Sequence, residues 1–175
     1  MINKPIIYNK EIKEGNNNYL LQFLNATESI IQQYCKREIE CLNAALQLQN
    51  KIKHKLIDFV HIDNGGKSGI QHKIKKKKEG TREGFPDVMI ICSNLNKNAC
   101  KVLYIEFKRI GTPSQIQIKP NQIEYNNWLN DIGFDAYIIN NPLFFKNKII
   151  KETLAVIEPL KKVHHDKVKS RQNLH

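Results

Sequence analysis

The sequence predicts an α/β domain, a mixed β-sheet flanked by helices, and three observations predict it. Apolar periodicity runs in the order helix, strand, strand, strand, helix, strand, helix. Two apolar runs, Phe85–Cys92 and Lys101–Lys108, flank a polar, Asn-rich turn over Ser93–Ala99, the pattern of an antiparallel hairpin. The chain has 175 residues, enough for one domain that buries its own core without a covalent staple.

Each element has a local reason. Residues 1–27 are polar and irregular, with Gly15 and an Asn run at 16–18, and are expected to be an extension. Thr27-Glu28 opens a long helix reaching Leu48 to Lys55, with Cys41, Leu42, Ala45 and Leu46 as its apolar stripe. Leu56–Ile62 has strand character and stops at the Asn64-Gly65-Gly66 turn. A basic loop follows from Lys67 to Gly84. The hairpin comes next, entered through Gly84-Phe85-Pro86. Pro120 suits the first turn of a helix that runs to Ile132 and stops at Gly133. Phe134–Asn140 is a further strand, ended by Asn141-Pro142. Residues 147–158 form a last helix, and the tail after Pro159 is basic.

The 28 basic residues exceed the 17 acidic ones, a formal charge of +11. Such an excess says nothing about fold and favours a polyanionic partner. No basic amphipathic helix with large apolar anchors is visible, and no apolar run could cross a bilayer, so nucleic acid is expected and a membrane is not. The start of the chain lacks a signal-peptide core, which suggests a cytoplasmic protein. Cys35, Cys41, Cys92 and Cys100 show no CxxC pairing and are expected to be reduced thiols.

The chemistry sits on the hairpin. Asp87 stands at the start of one strand, and Glu106 and Lys108 lie two apart on the next, so both project from one face of the sheet. Ile105 and Phe107 face the other way and can pack. A hairpin can set Asp87 beside Glu106. Two carboxylates held close repel each other, and Mg²⁺ or Mn²⁺ relieves that repulsion while keeping several waters. One such water can attack a phosphodiester. Lys108 could orient that water or stabilise the transition state.

At these residues the chain resembles the VRR-NUC branch of the PD-(D/E)xK nucleases. The likeness runs from about Arg37 to Asn140. It rests on Asn64-Gly65-Gly66, on Gly84-Phe85-Pro86-Asp87, on Ile105-Glu106-Phe107-Lys108, and on Gln122, Trp128-Leu129 and Gly133 in that order. The resemblance implies a restriction-endonuclease-like sheet over residues 28–160, with 161–175 a basic tail. It implies catalytic roles for Asp87, Glu106, Lys108 and Gln122. It implies metal ligation by Asp87, by Glu106 with the Phe107 carbonyl, and by a glutamate of the first helix. Glu38 is preferred for that last position, Glu40 comes second and Glu28 third. Related small domains act on branched DNA such as four-way junctions, which implies a homodimer.

Asn64, Lys73, Lys75, Lys76, Lys77, Lys78, Arg82 and Lys119 are the expected contacts to DNA. Taken alone, such a lysine run is a solvated face. Lysine meets phosphate as a point charge and reads bases poorly, so strong sequence selectivity is not expected. With only Arg37, Arg82, Arg109 and Arg171 as arginines, a restriction enzyme with a defined site is disfavoured. The rival reading is a non-catalytic or partner-activated nucleic-acid-binding protein that keeps the nuclease fold.

Overall fold

The computed structural model describes Phe23, residues 26–63, Lys75, Gly80, residues 82–110 and residues 116–157. The expected basic tail and most of the expected N-terminal extension lie outside these residues. Phe23, within that extension, is buried and packs edge-on against Tyr34.

The Thr27 hydroxyl accepts the Ile30 N–H and caps α1 (Glu28–Asn50). Lys51 closes the helix in a left-handed conformation (φ 54), its N–H returning to the Gln47 and Leu48 carbonyls. The buried stripe of α1 is Ile31, Cys35, Ile39, Asn43 and Leu46. This corrects the expected stripe, because Cys41 and Ala45 are exposed. Both sets have helical spacing, and contact with the sheet selects between them. Asn43 makes that contact specific: its Oδ1 accepts the Leu56 and Ile57 N–H groups at 2.9 and 3.2 Å.

Four strands form one sheet in the order β1 (Ile57–His61), β2 (Val88–Ser93), β3 (Cys100–Phe107), β4 (Asp135–Ile139). The first three are antiparallel neighbours, and β4 runs parallel to β3. The parallel pair needs a crossover, and α2 (Pro120–Asp131) supplies it. The fold is therefore α/β with a mixed sheet, as the periodicity predicts. The last expected helix begins earlier and is broken. A short α3 (Pro142–Phe144), capped by the Asn141 side chain, leads through a π-turn over Phe145–Ile149 into α4 (Ile150–Ile157).

The sheet has two unlike faces. Ile57, Val88, Ile90, Cys92, Leu103, Ile105, Phe107, Tyr137 and Ile139 join the core with the α1 stripe and with Phe145, Ile149 and Ile157. Each such side chain contributes about 1.5–3 kcal/mol on full burial. At the far end of this face the Lys101 ammonium is held by Asp135 (2.7 Å) and Glu152 (3.3 Å). The opposite face carries Tyr104, Glu106, Ala136 and Ile138, and α2 covers it with Leu129 and Asn126. Asn130 clamps this packing, donating to the Ala136 carbonyl and accepting the Ala136 N–H, both at 3.1 Å.

Candidate active site

Antiparallel register sets Asp87 against Glu106. Val88 pairs with Ile105, so the residue before Val88 falls opposite the residue after Ile105, on the α2 side of the sheet. Two main-chain contacts hold Asp87 there. Its carbonyl accepts the Ile62 N–H at 2.7 Å, and its Oδ2 accepts the Phe107 N–H at 3.3 Å. The loop before it is shaped by Gly84, whose φ of +91° suits glycine and whose missing side chain makes room for Asn121. A Cβ there would lie 2.6 Å from the Asn121 side chain. Phe85 meets Tyr104 and Tyr125 edge-on, each at 5.6 Å, which anchors the loop to both β3 and α2.

Glu106 and Lys108 are both buried, and the Lys108 ammonium donates to Glu106 Oε1 at 2.7 Å. Gln122 joins them from the first turn of α2. Its Oε1 accepts the Lys119 N–H at 3.0 Å, which leaves its Nε2 to donate to Glu106 Oε1. Among the described residues, Glu106 Oε2 is buried without a hydrogen-bond partner. An unmet buried acceptor costs about 1–3 kcal/mol, more when it carries charge.

Burial, followed by the nearby charge of Asp87, pushes the Glu106 carboxyl up to about 7. Lys108 opposes the shift through its hydrogen bond and charge, and Glu28 adds to it by repulsion. Lys108 therefore offsets the effect of burial only in part. Because the folded-state value lies above the ordinary 4.5, stability is greatest below about 4.5 and falls as pH rises through 7. The loss is on the order of 3 kcal/mol. Glu106→Gln is expected to flatten melting temperature between pH 5 and pH 8 in the absence of divalent metal, checked by thermal melts across that range. An unchanged slope would place the titrating group elsewhere.

Asp87, Glu106, Lys108 and Gln122 therefore converge, with the Phe107 main chain between them. Glu38, the candidate preferred from sequence, makes its ion pair with a lysine of the π-turn. Its Oε2 lies 3.6 Å from the Lys146 ammonium, and it stands ten residues along α1 from Glu28, about 15 Å along the helix axis. Glu40 points outward and pairs with Lys36. Glu28, ranked last from sequence, is the α1 glutamate whose charge reaches Glu106. The signal for it was its place three residues before Ile31, in line with the true buried stripe. Two asparagines of the same face, Asn126 and Asn140, were missed because buried amides leave no mark in hydrophobic periodicity. Among the described residues, no group of three or more His, Cys, Asp or Glu side chains is placed to hold a metal ion.

Of the expected DNA contacts, Asn64, Lys73, Lys76, Lys77 and Lys78 lie outside the described residues. Lys75 and Arg82 are exposed. The Lys119 ammonium lies 3.1 Å from Glu83, on the surface beside the site. Among the described residues no helix is long and apolar enough to cross a membrane. All four cysteines are free, Cys35 and Cys92 buried and Cys41 and Cys100 exposed.

The chain matches no model of a known protein family, and comparisons with curated proteins and with solved structures give no match.

Proposed function

We propose that this chain is a metal-dependent nuclease that hydrolyses phosphodiester bonds in DNA. The observation that carries the reading is the pairing of Asp87 with Glu106 on one sheet face, with Lys108 bound to Glu106 and one Glu106 oxygen left open. These residues fit a divalent cation: the open Glu106 oxygen is an unused ligand, and the Asp87 carboxylate stands opposite it on the same sheet face. Asp87 and Glu106 would hold Mg²⁺ or Mn²⁺, with Glu28 contributing from the first turn of α1. A bound cation supplies a more acidic water and offsets charge building on the phosphate.

The chain's own residues do the rest. The Lys108 ammonium would orient the attacking water or meet the developing phosphate charge. The Gln122 amide holds the Glu106 carboxylate in place. Arg82 and the Lys73–Lys78 run would bind phosphates, so affinity should fall steeply with salt. A preference for branched DNA and a homodimer belong to the same proposal and rest on the family resemblance alone.

A second reading is a partner-activated or non-catalytic nucleic-acid-binding chain. It is favoured by the closed Glu106–Lys108 pair, which occupies the lysine in this structure. Cleavage of a labelled panel separates the readings: four-way junction, flap, linear duplex, single strand and structured RNA, each with Mg²⁺, Mn²⁺, Ca²⁺ or EDTA. Cutting in Mg²⁺ or Mn²⁺ that EDTA abolishes is expected. Tight binding without cutting in any metal would favour the second reading.

The α1 ligand has its own test. Glu28→Gln is expected to lower kcat/KM by about 10- to 100-fold, whereas Glu38→Gln should stay within about threefold of the parent chain. The reverse order, measured on the preferred substrate, would return the role to Glu38.

A further inference from the structure

Two buried amides beside the site have no assigned role. Asn140 is 2% exposed, and among the described residues neither its Nδ2 nor its Oδ1 has a hydrogen-bond partner. Asn126 leaves its Oδ1 open in the same way. Asn140 follows β4 directly. The Lys108 N–H donates to the Ile139 carbonyl at 2.8 Å, closing the Phe107–Ile139 pair at the end of the parallel ladder. Continued by one residue, that register sets Asn140 opposite Lys108. Strand alternation puts Asn140 on the face of Ala136 and Ile138, which is also the face of Glu106 and Lys108. Paired strands lie about 4.8 Å apart, so the amide is within reach of the lysine side chain.

The hydrogen-bonding capacities of the two neighbours are complementary. A lysine ammonium has three donors and no acceptor. Lys108 uses one of them on Glu106 Oε1. Asn140 offers a buried acceptor that nothing else among the described residues takes up. If Glu106 turned its carboxylate to a cation, the lysine would lose its acceptor inside the protein, and a buried charge without a partner is strongly disfavoured.

We propose that Asn140 is a positioning residue for Lys108: its Oδ1 takes up the ammonium when the Glu106 carboxylate is drawn to a divalent cation. The proposal rests on the nuclease reading. Asn140 keeps the Lys108 ammonium partnered and aimed into the site while releasing Glu106 Oε1 from the lysine. The open amide is a standing cost to the resting fold, retained for the working state. Asn126, one turn of α2 below Gln122, adds a second open oxygen to the same polar layer.

The test uses the full chain with Asn140→Leu, which keeps the branched shape without polar atoms, and Asn140→Asp, which keeps acceptor oxygens. Three quantities are measured: kcat and KM on the DNA that the parent chain cuts best in Mg²⁺, DNA binding in Ca²⁺, and melting temperature without metal. Asn140→Leu is expected to lower kcat by about 10- to 100-fold with KM and DNA binding within about threefold. Its melting temperature should rise by about 2–4 °C, because an unpaired buried amide has been removed. Asn140→Asp should keep kcat about tenfold or more above the leucine variant. A leucine variant that cuts as fast as the parent overturns the proposal while leaving the nuclease reading intact. So does one whose kcat falls together with its melting temperature, since that is the signature of a structural amide. A parent chain that cuts nothing in any metal removes the nuclease reading, and this proposal with it.

Discussion

Replacing Asp87 by Asn is expected to lower cleavage by about 10³-fold while leaving the fold in place. The asparagine Oδ1 can still accept the Phe107 N–H that Asp87 Oδ2 accepts now, so the hairpin keeps its cross-strand contact. What disappears is the negative charge opposite Glu106. Two effects follow from the same loss. A divalent cation loses a ligand. The repulsion that helps raise the Glu106 carboxyl also disappears, so that carboxyl moves back toward its ordinary value. The variant should therefore melt with a weaker pH dependence than the parent chain, even without metal or DNA. Asp87→Ala should lose activity to the same degree and also lose stability, by about 1–3 kcal/mol, because it leaves the Phe107 N–H without its acceptor. Cleavage assays and thermal melts on the two variants separate charge from hydrogen bonding. An asparagine variant that cuts normally would remove Asp87 from the site.

Lys108→Met is expected to reduce kcat by about 10²- to 10³-fold with DNA affinity changed by less than about threefold. Lys108 is buried and bound to Glu106, not displayed on the surface, so it adds little to the attraction of the whole chain for phosphate. The stability effect depends on pH. Removing one partner of a buried ion pair costs about 3–5 kcal/mol when the other stays charged. Glu106 can escape that cost by taking up a proton, since its carboxyl already sits near 7 and loses its main counter-charge in the variant. Near pH 5, where Glu106 is neutral in both proteins, the variant should melt close to the parent chain. Near pH 8, ionising Glu106 stabilises the parent relative to the variant, so the gap should widen. A gap that is constant across this range would show that Glu106 and Lys108 are not coupled. Normal cleavage would refute the role given to the lysine.

Much of the site was legible because it is built by strand alternation and hairpin pairing. Glu106 and Lys108 are two apart in an apolar strand, so they share a face whatever surrounds them. Asp87 sits just before the other hairpin strand, so a short turn leaves few registers in which it would not face Glu106. Gln122 was marked by the family resemblance, and Pro120 put it in the first turn of a helix. The rotation of α1 was not readable. A helix with apolar residues at several spacings offers more than one candidate stripe, and contact with the sheet makes the choice.

The sequence by itself determined the element order, the mixed α/β class and the Asp87, Glu106 and Lys108 constellation, because these follow from periods of two and 3.6 residues and from turn chemistry close along the chain. Only the tertiary structure decided the rotation of α1, the burial that lifts the Glu106 carboxyl, and the burial of Asn126 and Asn140. Each of these depends on which distant segment covers a given face. Contact between residues far apart in the chain leaves no local pattern to be read.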